Sequence, residues 1–168
     1  MDQSLLGTVG ETLKTNFGAG IISSEMIADY PVFIINRDIL EEVVKFLYQD
    51  EELSFQYLTT LAGLHYPDNK GQELGVMYQL HNLQKNYRIR LKTFFSIQDP
   101  VVPSITSVFS AANWMERQEF DFFGIIFKGH PNLKRILNVD EMSYYPMRKE
   151  YPLEDGTRED KDDRMFGR

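Results

Sequence analysis

Glu116, Glu119, Asp121 and His130 are the residues whose types and spacing could do chemistry. Three carboxylates within two helical turns, followed by a histidine, could form an acid–base constellation. His130 with two of the carboxylates could also hold a metal ion. Against both readings, His130 lies inside the turn Gly129-His130-Pro131, where an imidazole ring more often fixes the turn by hydrogen bonding. His65 and His81 sit in strand-like runs without ligand spacing. The chain has no G-x-G-x-x-G and no Gly-rich phosphate loop. Ser104, Ser107 and Ser110 lack the context of a nucleophile elbow. With no cysteine, disulfides, a thiol nucleophile and thiolate-ligated iron–sulfur clusters are excluded. The residues therefore read as a binding or scaffold module, with a small free-standing acid–base enzyme as the alternative.

The element that positions the carboxylates is a helix predicted over Ala111 to Phe123, stopped by Gly124. Ala111, Met115 and Phe122 share one face of it, with Ala112 and Phe123 beside them. Arg117 and Asp121, four apart on the other side, are placed to pair across one turn. Glu116 and Glu119 fall within the apolar arc. A buried carboxylate needs a cation or several donors, because leaving it unpaired costs several kcal/mol, roughly. Lys134, Arg135, Arg148 and Lys149 lie just downstream, and Glu116 is expected to pair with Arg135 or Arg148. A strand Ile125–Phe127 follows, then the Gly-His-Pro turn. Asn132 is placed to cap a short segment Leu133–Leu137. Pro146 and Pro152 predict an extended run over Tyr144–Leu153.

Upstream, Leu5, Leu6, Val9, Leu13 and Phe17 recur at helical spacing, ended by Gly18 and Gly20. Ile21–Ala28 and Pro31–Ile35 read as paired strands. Asp38 resembles an N-cap with Glu41 completing a capping box, opening a helix to Gln49. Leu53–Leu61 fits helix or strand, and Ala62–Tyr66 reads as a strand before the turn cluster Pro67–Gly71. Two alternating runs, Val76–Leu80 and Tyr87–Lys92, flank Asn82–Asn86 and predict a hairpin. Its second strand places Arg88, Arg90 and Lys92 on one face, either solvated or docking an acidic partner. Pro100 and Pro103 break the chain, and Ser104 can cap a short helix to Val108 or Phe109. The expected architecture is α+β in two layers: a mixed or antiparallel sheet of about five strands covered by helices. Residues 1–137 form the domain and 138–168 an extended C-terminal arm.

The chain has 168 residues, 42% hydrophobic and 13% aromatic, enough for one domain with a real core. A net charge of −7 argues against a nucleic-acid binder and against direct adhesion to anionic lipid. No run of about 18 apolar residues exists to span a membrane. The start MDQSLLGTVGETLKTN lacks a basic region and a long apolar stretch, so no secretory signal is expected there. Glu154–Arg168 holds six acidic and four basic residues, and alone such a segment would not order.

Asn113–Leu153 resembles the signature of the 30-kDa subunit family, which is the C subunit of respiratory complex I, the proton-translocating NADH–quinone oxidoreductase. The family pattern is close to W-x-E-R-E-x-x-D-x-F-G-I-x-F-x-G-H-P-x-L-R-R-I-L, then G-x-P-x-R-K-D-x-P-L. Trp114, Glu116, Arg117, Asp121, Gly124, His130, Pro131 and Arg135 match the first part, and Pro146, Arg148, Lys149 and Pro152 the second. Gln118 stands for Glu, Lys134 for Arg and Glu150 for Asp, and a tyrosine precedes Pro146 where the family often has Gly. The resemblance implies an accessory subunit with no catalytic residues that binds no FMN, iron–sulfur cluster, NADH or quinone itself. It implies docking against the D subunit, with the B and I subunits nearby, on the cytoplasmic side of the bacterial inner membrane. Membrane association would be indirect, and the C-terminal segment would lie along a partner. Related membrane-bound hydrogenases and ferredoxin- or plastoquinone-linked complexes use a similar subunit.

Overall fold

A computed structural model describes residues 2–151, with side chains from Leu5 onward. The elements in order are α1 (Asp2–Phe17), β1 (Ile21–Ile27), β2 (Tyr30–Ile35), α2 (Leu40–Gln49), β3 (Tyr57–His65), β4 (Leu74–Asn82), β5 (Tyr87–Phe95), β6 (Val101–Pro103), α3 (Ala112–Phe123) and β7 (Ile126–Lys128). Five strands form a mixed sheet in the order β1-β2-β5-β4-β3. Within it β2 and β5 run parallel, and the other neighbours are antiparallel. This is the α+β two-layer arrangement that the alternation of strand and helix patterns predicts.

One sheet face carries Phe33, Leu91, Val76 and Gly63, and the helices pack there. Gly10 of α1 approaches the Phe33 ring, and Gly63 faces Phe123 and Glu119 of α3. Leu40, Val43, Val44 and Leu47 of α2 join the same core. Burial alternates along β5, with Ile89, Leu91, Thr93 and Phe95 inward. The turn between β1 and β2 puts Ala28 and Asp29 at φ 46° and 66°, as a tight two-residue hairpin requires.

Several sequence expectations are corrected. Asp38 does not cap a helix. Asn36 accepts from the Asp38 amide at 3.0 Å and opens a short 3-10 turn, Arg37–Ile39, before α2. Glu41 instead accepts from Ser107 Oγ at 2.8 Å. Ser104–Phe109 makes one turn, closed by Val108 and Phe109 amides on the Ile105 carbonyl, rather than a helix. Leu133–Leu137 is not helical either, because the Ile136 and Leu137 amides are drawn to the Asp121 carboxylate. Tyr144–Tyr151 is a succession of turns rather than extended chain: Arg148 N donates to Tyr145 O, and Tyr151 N to Arg148 O. Pro152, Leu153 and the acidic Glu154–Arg168 stretch lie outside the described residues.

α3 crosses between two short parallel strands. β6 pairs with β7, and the crossover between them contains the helix. This small unit fixes the helix over β3 and brings its C-terminal end to the arm.

Candidate functional site

α3 ends because Gly124 takes φ 74°, the left-handed conformation of a helix C′ residue. A side chain there would meet the Tyr145 ring at 2.5 Å, so the residue must also be small. Tyr145 is the arm's anchor. The guanidinium groups of Arg135 and Arg148 lie 5.3 and 4.6 Å from its ring. Arg148 Nε also donates to the Phe123 carbonyl at 2.7 Å, one of the orphan carbonyls at the helix end. Met147 N donates to Phe122 O at 3.2 Å.

Asp121 is fully buried and accepts from five donors outside its own helix. Oδ1 takes Arg135 Nη1 at 2.8 Å and Asn138 Nδ2 at 3.0 Å. Oδ2 takes the amides of Ile136, Leu137 and Asn138 at 3.1, 2.8 and 2.9 Å. Burial opposes ionisation of Asp121. The Asn138 amide and side chain, with the amides of Leu137 and Ile136, outweigh it and hold the carboxyl well below the usual range.

Glu116 is different. It is fully buried, and its partners are Ser104 Oγ at 2.6 Å and the Ile105 amide at 2.8 Å. Among the described residues no cation reaches it, which corrects the expected pair with Arg135 or Arg148. Those two arginines sit at the other end of the helix, on Asp121 and Phe123. Burial raises the Glu116 carboxyl to about 7, against the lowering effect of its two hydrogen bonds. Glu119 is nearly as buried and is also pushed up by burial. Its Oε2 accepts the Gly63 amide of β3 at 2.7 Å. Tyr78 of β4 lies near enough to feel both glutamates, and among the described residues its buried hydroxyl has no hydrogen-bond partner. Burial, then the two carboxylates, push the phenol well above its normal range.

Arg117 does not pair with Asp121, whose acceptor capacity Arg135 and the amides already fill. It donates to the carbonyls of Lys134 and Arg135 at 3.1 and 3.3 Å and lies over the Trp114 ring at 5.0 Å. Both nitrogens of His130 are engaged: Nε2 with the Asn113 carbonyl and Nδ1 with the Asn132 amide, each at 3.0 Å. That assigns the proton to Nε2 and leaves no lone pair for a metal. Pro131 continues this turn at the surface, and Pro146 is half-buried within the arm. The Lys149 amide donates to His65 Nδ1 at 2.9 Å, tying the arm to the end of β3, and its ammonium lies 5.5 Å from the Tyr66 ring.

The structure thus brings Glu116, Arg117, Asp121, Gly124, Arg135, Arg148 and Lys149 into one anchoring network, with Trp114 and His130 at its margin. Sequence reasoning missed Ser104, Asn138, Tyr145, His65 and Gly63 as parts of it. Gly63 carried a usable signal, since a glycine inside a strand-like run marks close backbone approach. The rest are common polar or aromatic residues with no spacing to betray them.

What the site defines is an anchor, in which side chains of one helix hold a loop, a strand edge and an arm. The model of the family described as "Respiratory-chain NADH dehydrogenase, 30 Kd subunit" matches residues 33–157, and the chain belongs to that family. It is 44% identical over 121 residues to the C subunit of NADH-quinone oxidoreductase from Nocardioides sp., covering 72% of this chain and 48% of that one. The C subunit from Mycobacterium avium is 36% identical over 152 residues, covering 89% and 65%. The chain therefore spans between about half and two thirds of the length of these relatives. Among solved structures, a trypsin-resistant fragment (1–134) of Nqo5 superposes with a TM-score of 0.63 at 26% identity, covering 74% of this chain and 98% of that one. A chain of an archaeal membrane-bound sulfane sulfur reductase shares the fold, with a TM-score of 0.72 at 18% identity and coverage of 88% and 85%. Among the described residues, no helix is long and apolar enough to cross a membrane.

Proposed function

We propose that the chain is a non-catalytic structural subunit of the peripheral arm of an NADH–quinone oxidoreductase. It docks against the D subunit and supports electron transfer from NADH to quinone without a chemical step of its own. In this reading the flavin, the iron–sulfur clusters and both substrates bind other subunits, and the chain sits peripherally on the cytoplasmic face of the inner membrane. The B and I subunits are its further neighbours. Residues 1–137 act as the folded domain and the arm from Asn138 as the docking element. The trypsin resistance of the Nqo5 fragment supports this division.

The observation that carries the proposal is how the signature segment divides its side chains. Glu116, Glu119, Asp121 and Arg135 turn inward onto the anchor. Phe123, Ile125 and Phe127 join the core, but other large apolar residues turn outward: Trp114, Leu137 and Val139 are each more than 60% exposed. Of the twelve large apolar side chains exposed among the described residues, seven lie between Trp114 and Tyr151. A contiguous stretch of this kind suits a surface that a neighbour covers.

The test is purification of the tagged chain from native membranes. Co-purification with the D subunit and NADH–quinone activity is the expected result. Recovery of the chain alone, turning over a substrate by itself, would replace this reading with that of a free-standing enzyme.

A further inference from the structure

Among the described residues, the five-stranded sheet carries helices on one face only. The opposite face holds Arg88, Arg90 and Lys92 at alternate positions of β5, about 7 Å apart along the strand. None of the three forms an ion pair with a carboxylate among the described residues. Glu25 of β1 lies on this face too, across Val32 from Arg90, and it makes no ion pair either. Arg90 lies over the Tyr30 ring at 4.3 Å and donates to Gln79 at 3.0 Å, so its guanidinium is held along the sheet. In a chain of net charge −7, a row of three cations without bonded counter-charges runs against the composition.

The same face is apolar at one end. Ile22, Ile34, Tyr66 and Phe94 contribute to a groove of about 320 Å³ there. Cations beside an apolar groove are the complement of a single amphipathic segment with carboxylates along one side. Carboxylates four apart on a helix are spaced about 6 Å, close to the repeat of the β5 cations. A helix is also the element that completes a layer over a bare sheet face.

We propose that this face docks an acidic amphipathic helix of a neighbouring subunit. The inference rests on the reading of the chain as a subunit of a larger assembly and adds a second docking surface, separate from the arm.

A photoreactive benzophenone side chain placed at Met77, the register partner of Lys92, tests this in the full-length chain assembled in native membranes. The expected product is a crosslink to an acidic helical peptide of another subunit. Its yield should fall by about tenfold or more when Arg88→Glu, Arg90→Glu and Lys92→Glu are combined. Should that triple variant fail to fold by circular dichroism, raising the salt concentration on the unreversed chain serves instead, and the crosslink yield should again drop. A crosslink to a peptide without acidic character, to a second copy, or to the chain's own residues 154–168 would overturn the proposal. So would no crosslink, or a yield indifferent to charge and salt, in a chain that has assembled. Failure of the chain to enter any complex would instead defeat the reading of it as a subunit.

Discussion

The two ends of α3 bury carboxylates five residues apart in opposite ways. Asp121, near the C-terminal end, has a guanidinium and three backbone amides and is held ionised. Glu116, one and a half turns earlier, has one hydroxyl and one amide, and burial carries it to about 7. The difference lies in donor count and charge, since both side chains are fully buried. A buried carboxylate stays charged when converging donors and a cation replace water; with two neutral donors it tends to its acid form.

The largest effect is expected at the charged end. Asp121→Asn leaves Arg135 buried without its counter-ion and turns an amide group toward donors. It should cost about 3–5 kcal/mol in urea unfolding, and hydrogen exchange at Ile136–Asn138 should lose its protection. A loss under about 1 kcal/mol would erase the contrast between the two sites.

At the other end the sign reverses with pH. The folded-state value of Glu116 is raised from 4.5 to about 7, so the folded chain holds a proton that the unfolded chain has lost. The stability this contributes is present below about 4.5 and declines as pH rises to about 7, by on the order of 3 kcal/mol. Glu116→Gln still accepts from the Ile105 amide and can donate to Ser104 Oγ, whose proton turns to Thr106; it should flatten that slope, leaving the variant at least as stable as the parent at about pH 8. Asp121 has the opposite dependence: its contribution is full above its unfolded value of 3.8 and is lost only in stronger acid. Thermal melts of the parent and the two variants from about pH 3 to 9 separate the two slopes.

Gly124→Ala sharpens the comparison without touching a charge. The strained φ and the Tyr145 ring should together cost about 1–2 kcal/mol, with increased exchange in the arm while Glu116 keeps its titration. The smallest effect belongs to His65. Burial lowers its value from 6.5, against the nearby Glu150, and its Nδ1 must stay unprotonated to accept the Lys149 amide. The neutral ring's contribution is full above about 6.5 and is lost as pH falls through the lowered value. A lower protection factor of the Lys149 amide on acidification, by less than about 1 kcal/mol in local stability, is the expected result.

Much of the fold was legible because its signals are local. The period-2 runs around Asn82–Asn86 marked β4 and β5, and Gly124 marked the end of α3. Asn113–Leu153 carried the family resemblance, and the family match over residues 33–157 bears it out. The partners of the buried carboxylates were not legible. Sequence proximity offered Arg135 to Glu116, but the helix places them at opposite ends. The choice of Ser104 depends on the β6–β7 pairing, which brings residues 100–104 beside residues 126–128, and no periodicity encodes that. The arm's turns were read as extended because two prolines exclude a helix without specifying what replaces it.

Glu119 has a consequence for what the sheet can become. β3 is an edge strand, and an open edge recruits further strands, from its own kind or from a partner. By taking the Gly63 amide, Glu119 removes a mid-strand donor that an incoming strand would need. The Phe123 ring packs over the face of Gly63, and the arm fastens to His65 at the end of the same strand. Strand addition is therefore disfavoured at Gly63 and His65 of the β3 border. Lengthening of this sheet is thereby favoured at β1 over β3, the edge that the arm-anchoring helix guards.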